Sequence, residues 1–418
     1  MDPTTLRLIL EQEIDRTIGC TDPGTISLAA AAARRALGCD PEDVQILVSP
    51  NLYKNAAAVG VPGTGQRGIP IAAAIGAVLD RVEDGLAILE ALDSESLVQA
   101  NQLLKEGRVS VRWEPMEENL FVRADLTADG SQACAIIQGD YSNLVEVSRD
   151  GMILESGDWI KPDSSQDPFA DTCIEDLLQT TALIPDSELE FLLDSAGINR
   201  VSALQALEDG LPLAGALNRG NAARTAGSGV ADWVQLLTGT AGEARMAGIR
   251  LPIMALAGSG NQGITSFLGI LAAAEQIGSP REKTARALAY SAAVTVYIKS
   301  RMTRLGNICG CTAASSPAVA AGLVFLLDGS FEDMIHAMQT VIGTLAGILC
   351  DGAKESCAYK LSLGASFAVQ AAYLSVEGTY IRAGAGILAD TMDGTIQNLA
   401  RLNDGLKDIN HEIISKIA

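Results

Sequence analysis

The sequence predicts an α+β N-terminal domain built on an antiparallel sheet, followed by an all-α helical domain. Segments alternating apolar and polar residues recur at 109–113, 119–125, 132–138 and 143–148, with Asp129-Gly130 as a hairpin turn between two of them. Helical periodicity covers most of residues 171–418, with Gly and Asn turns near 218–221 and 226–229 and no convincing strand. Composition agrees: 48% of residues are apolar but only 4% are aromatic, and alanine dominates the apolar share, which suits helices in close contact. The expected organisation is an α+β domain over 1–156, an Asp/Ser/Pro-rich linker over 157–168 and an all-helical domain over 169–418. A chain of 418 residues is long enough for two cores.

Taken in order, residues 4–18 read as a helix ending at Gly19, and an alanine-rich helix follows over 26–37. Cys20 stands between them, with Thr21 or Asp22 able to cap the second helix, whose free N–H groups favour a thiolate. The alternative is a buried turn residue. Residues 43–49 read as a strand running into a polar loop and then the glycine-rich 61–68. Asn51, Lys54, Asn55 and Gln66 there could orient the carboxylate and amine of a small polar substrate, or the loop could simply be turning. Residues 69–104 read as helical with a break near Ser94. Cys134 falls in strand periodicity and reads as packing, while Cys39 and Cys173 read as incidental.

The net charge of -21, from 51 acidic and 30 basic side chains, repels phosphate backbones and anionic membranes. Neither nucleic acid nor membrane is an expected partner. The start, Met1-Asp2-Pro3-Thr4-Thr5, lacks a basic segment followed by an apolar one, so no secretory signal is expected and the expected location is cytoplasmic. Apolar windows near 313–327 and 341–349 fall short of the ~20 residues of a membrane span. In a reducing compartment, eight cysteines point to metal or catalysis more than to disulfides.

Cys309, Cys311, Cys350 and Cys357 lie in one stretch, 305–360, around which the chain is organised. The helices expected over 316–328 and 331–349 can fold back so that the Cys309-Gly310-Cys311 and Cys350-Asp351-Gly352 turns meet. These spacings do not match a structural zinc site. Soft thiolates without a nearby histidine suit an iron–sulfur cluster better, the alternative being ordinary buried thiols.

Gly258, Gly260 and Gly263 satisfy the dinucleotide spacing GxGxxG, but helices are expected on both sides, outside any βαβ unit. The loop reads instead as a cup of N–H groups for a carboxylate at the start of a helix over 264–276, with Ser259, Gly260, Asn261 and Gln262 as substrate-binding candidates. The alternative is a helix–helix turn that needs glycine for close packing.

With the Cys20 turn, the glycine loop, the Cys309-Gly310-Cys311 turn and Cys350-Asp351-Gly352-Ala353-Lys354 in this order, the chain resembles the serine dehydratase-like family, in particular its L-cysteine desulfidase branch. That resemblance implies a 4Fe-4S cluster on three cysteines, which the motif order carries onto Cys20, Cys311 and Cys350. Cys309 and Cys357 are held in reserve. Relatives often have His-Thr-Asn where this chain has Tyr141-Ser142-Asn143. The activity implied is β-elimination of L-cysteine to hydrogen sulfide, pyruvate and ammonia.

An iron with an open position would act as a Lewis acid on the leaving sulfur. Base candidates are Lys54, Lys299, Lys354 and Tyr53; Arg304 is a candidate partner for the substrate carboxylate. His336 and His411 lie outside the motifs and read as structural or exposed. The alternatives are L-serine dehydration on the same cluster, a pyridoxal-phosphate lyase using the 258–263 loop as a phosphate cup, and a non-enzymatic iron–sulfur sensor or iron store. The expected partners are a small-molecule amino-acid substrate and a second copy of the chain in a homodimer.

Overall fold

A computed structural model of the chain describes residues 1–116, 120–158, 167–223, 229–302 and 305–417. Its first helix, Pro3–Gln12, is shorter than the sequence suggests. Asp2 caps it, accepting from the backbone N–H groups of Thr4 and Thr5. The chain then extends as β1, Ile14–Ile18. The β-branched residues Ile14, Thr17 and Ile18 suit a strand, and the strand's partner supplies the hydrogen bonds that a continued helix would have made internally.

The helix Thr21–Leu37 follows, with Ala29–Ala33 buried throughout. It packs on the helix Ile69–Val78, where Ser27 Oγ donates to the Ala72 carbonyl at 2.7 Å. A Cβ on Gly76 would stand 2.1 Å from the Ser27 carbonyl oxygen, so only glycine allows this backbone-to-backbone approach.

Both helices cover one face of a six-stranded sheet. Its strands are β2 (Asp43–Val48), β3 (Val109–Trp113), β4 (Phe121–Ala128), β5 (Ser131–Gln138), β6 (Leu144–Arg149) and β7 (Met152–Ser156), in the order β3-β2-β4-β5-β6-β7. Pairings from β2 through β4 to β7 are antiparallel; β2 and β3 pair in parallel, through a helical crossover. Along β4, Val122, Ala124, Leu126 and Ala128 are buried, as alternation requires. Asp129 and Gly130 both have positive φ, 51° and 77°, in the hairpin turn.

Two further corrections concern local structure. The polar stretch after β2 is a helix, Pro50–Ala56, with proline in its first turn, where a missing N–H costs nothing. The second half of the chain contains a strand, β8, Pro252–Leu256, which pairs antiparallel with β1, Ile14 opposite Leu256. Otherwise the second half is helical. The expected linker, 157–168, falls mostly on residues outside those described. Two main apolar cores result: one under the six-stranded sheet, and one among the C-terminal helices that also takes in Leu6 and Leu10 of the first helix. Among the described residues, no helix is long and apolar enough to cross a membrane.

Candidate functional site

Short stretches around the two cysteine turns run antiparallel. Cys309 N–H donates to the Ile348 carbonyl and Cys350 N–H to that of Asn307, both at 2.8 Å. The helices Ser316–Leu326 and Phe331–Leu345 fold back between them. Cys311 opens a π-helical turn, Cys311–Ser315, whose widened backbone lets Ser316 Oγ donate to the Cys311 carbonyl at 2.8 Å. Cys357 lies in the first turn of the helix Ser356–Val376, its Sγ 3.4 Å from the Gly352 carbonyl oxygen. Gly352 itself has φ 96° and packs directly on the Lys54 carbonyl.

Cys20 arrives from the other end of the chain, at the N-cap of the helix Thr21–Leu37. It packs with Val59, Met246, Ala353 and Cys357. One cavity, with about 700 Å³ of atom-free space including its mouth, is therefore lined by Cys20, Cys309, Cys311, Cys350 and Cys357. All five are free thiols.

The thiols differ electrostatically. Cys311 is in hydrogen-bond contact with Cys309, which holds Cys309 below the usual thiol range and pushes Cys311 up. Burial raises Cys357 to about 12. Burial also pushes Cys20 well above the usual thiol range; neighbouring Asp22 adds to the rise and Arg245 opposes it. Burial raises Asp22 as well.

The donor set fits an iron–sulfur group. Soft sulfur ligands meet without a histidine, and Gln262 Oε1, Asn55 Oδ1, Asp22 Oδ1 and Arg245 Nε line the same cavity without hydrogen-bond partners. A single ion is less suited. Among the described residues, the trio whose ligand atoms lie within 4.8 Å of one another is Cys173, Glu175 and Asp393, not the cavity thiols. Cluster ligands bind different irons and so stand farther apart than the ligands of one ion. In the trio, Asp393 is already engaged by the Tyr297 hydroxyl and the Ile174 N–H.

The glycine loop also reaches the cavity, through Gly258, Ser259, Asn261 and Gln262. Its surroundings differ from those expected: β8 precedes it, and a short helix, Gly260–Gly263, leads through a π turn, Ile264–Leu268, into the helix Gly269–Ile277. The glycines serve close packing. A Cβ on Gly263 would stand 2.0 Å from the Met254 carbonyl oxygen, and one on Gly260 would stand 2.3 Å from Arg245 Nε. Because β8 pairs antiparallel with β1 in a two-stranded sheet, the loop belongs to no βαβ dinucleotide unit among the described residues.

Of the other candidates, Asn55 and Lys299 line the cavity, whereas Asn51, Lys54, Gln66, Gly260, Lys354 and Tyr53 do not. Lys54 Nζ donates to Asn410 Oδ1 at 2.7 Å, and Asn410 Nδ2 donates to Asn51 Oδ1 at 2.6 Å, so both residues pin the C-terminal helix Lys407–Ile417. Gln66 Nε2 donates to Asn101. Lys354 is drawn to Asp351. Arg304 lies outside the described residues. His336 stacks on Tyr380 and His411 tilts against Trp113.

Sequence reasoning gave no binding role to three residues of the wall: Asp22, Tyr141 and Arg245. Asp22 reads locally as a helix cap. Arg245, in the last turn of the helix Val230–Ala247, reads as a charge favouring the helix dipole. Only the turn of that helix toward the glycine loop buries it.

A family model described as serine dehydratase alpha chain matches residues 83–415. Curated relatives extend the match along nearly the whole chain. A "UPF0597 protein" of Methanocella arvoryzae is 47% identical over 409 residues, covering 97% of this chain and 95% of its own. The "UPF0597 protein YhaM" of Salmonella typhimurium is 35% identical over 94% of this chain and 92% of its own. The "UPF0597 protein BF3560" of Bacteroides fragilis is 32% identical over 97% and 96%, respectively. By this match and the extent of these similarities, the chain belongs to the serine dehydratase alpha chain family.

Proposed function

We propose that the protein is an L-cysteine desulfidase that carries out 4Fe-4S-dependent β-elimination, with Cys20, Cys311 and Cys350 holding the cluster. The observation that carries this reading is the convergence of five free thiols and several unpartnered polar groups on one cavity. The family is also typically iron–sulfur dependent. Its membership suggests a lyase.

Held by Cys20, Cys311 and Cys350, a cluster would supply a Lewis-acidic iron for the leaving group. The chain's own residues do the rest. Ser259, Gln262 and Asn55 offer polar contacts that orient the substrate. Lys299, which among the described lysines lines the cavity, takes the Cα proton. The C–H electron pair becomes the Cα=Cβ bond as the Cβ–S bond breaks, and sulfur leaves with its electrons as hydrosulfide. The resulting aminoacrylate tautomerises to an imine, which water hydrolyses to pyruvate and ammonia. Reduced thiols in this number suit the cytoplasm.

The family's description favours a second reading, L-serine dehydration at the same site with hydroxide leaving. Anaerobic protein with a reconstituted cluster separates the two when sulfide release from L-cysteine is compared with pyruvate release from L-serine. Cys20→Ala, Cys311→Ala and Cys350→Ala are expected to lose iron and sulfide, and Cys309→Ala and Cys357→Ala to retain them. Full iron in all three ligand variants sinks the ligand set. Release of neither product, despite a full cluster, sinks the enzymatic reading and leaves the sensor.

A further inference from the structure

A guanidinium and a carboxyl group line the cavity without pairing with each other. Arg245 is 4% exposed and Asp22 is 3% exposed. Among the described residues neither is in a salt bridge; burial raises the Asp22 carboxyl and nearby Arg245 opposes that rise only in part. Arg245 Nη1 donates to Asn261 Oδ1 at 3.0 Å, which orients the guanidinium, while Nε has no partner. Asp22 Oδ2 accepts from the Cys20 thiol at 2.8 Å and Oδ1 has no partner.

Buried polar groups left without partners are costly, so a guanidinium and a carboxyl group that line one cavity, each with an unpartnered atom, call for a ligand that answers both. The loop is built to admit the larger one, since any side chain at position 260 would collide with Arg245 Nε.

We infer that Arg245 and Asp22 clamp the two charged ends of a free L-α-amino acid, Arg245 taking the carboxylate and Asp22 the ammonium. This rests on the amino-acid lyase reading and assigns the residues that select its substrate. Asn261 is a positioning residue for Arg245. The clamp recognises the backbone of the amino acid and leaves the β-substituent to the thiol-lined side, so L-cysteine and L-serine are held alike.

Equilibrium binding of L-alanine to anaerobically purified protein tests this, since L-alanine carries both charged ends and no leaving group. Propionate lacks the ammonium and ethylamine lacks the carboxylate; each is expected to bind at least roughly tenfold more weakly than L-alanine. Arg245→Gln is expected to weaken L-alanine binding roughly tenfold to a hundredfold with iron and sulfide content unchanged, and Arg245→Lys to recover part of it. In Asp22→Asn, L-alanine is expected to bind no better than propionate. The clamp is overturned if propionate matches L-alanine in the unaltered protein, or if Arg245→Gln binds L-alanine normally. It is equally overturned if Arg245→Gln loses its iron, since the guanidinium would then serve the cluster. Charge-dependent L-alanine binding without sulfide or pyruvate release would instead sink the lyase reading and leave the clamp standing.

Discussion

Replacing Gly352 by alanine tests whether the cysteine turn is held in place by its contact with the N-terminal half. The new Cβ would stand 2.1 Å from the Lys54 carbonyl oxygen and 3.0 Å from its carbonyl carbon. The backbone there has φ 96°, which L side chains rarely adopt. Backbone strain of this kind costs about 1–3 kcal/mol, and overpacking against an immobile carbonyl adds about 1–3 kcal/mol. Together, about 2–6 kcal/mol lowers the thermal midpoint of a 418-residue chain by about 2–7 °C at the usual unfolding entropy per residue. Relieving the overlap needs a displacement of roughly 1 Å, beyond the ~0.5 Å that a functional constellation tolerates. Iron and sulfide content should therefore fall even where the variant is folded. Gly347→Ala is the control, because a Cβ there meets nothing within 4 Å. A Gly352→Ala protein with an unchanged midpoint and a full iron complement would refute the reasoning.

Three other outcomes are expected. Lys299→Met should lower kcat/KM at least about a hundredfold while keeping its iron, the usual loss for a removed general base; unchanged turnover would return the role to another group. In metal-free protein near neutral pH, iodoacetamide should label Cys309 ahead of Cys20, because the hydrogen bond from Cys311 holds Cys309 below the usual thiol range while burial raises Cys20; peptide mapping showing Cys20 labelled first would contradict this. Burial lowers Lys54 below its ordinary 10.5, so the unfolded chain holds that proton more firmly and stability rises with pH in the interval beneath 10.5. Lys54→Met lacks this contribution, so urea midpoints at about pH 7 and about pH 10 should shift in favour of the unaltered protein at the higher pH.

Local chemistry made much of the architecture legible. The alanine-rich helix Thr21–Leu37, the Asp129-Gly130 hairpin and the alternation along β4 each depend on neighbours a few residues away, and the chain's own periodicity reports them. The meeting of the two cysteine turns was also readable, since the intervening helices return the chain to its starting point.

What the linear chain determined about this protein was its element types, its unusual density of thiols and, through motif order, its family. Tertiary structure alone decided which polar residues face the cavity. β1 exists because its hydrogen-bonding partner lies far along the chain: Thr17 Oγ1 donates to the Ile253 carbonyl 236 positions away. Lys54 is tied to Asn410, 356 positions on, while Arg245 is brought to the cavity by the packing of its helix against the glycine loop. The physical reason is shared: a side chain's role follows from the charges and carbonyls that surround it after burial, and those are contributed by segments that local pattern cannot bring together.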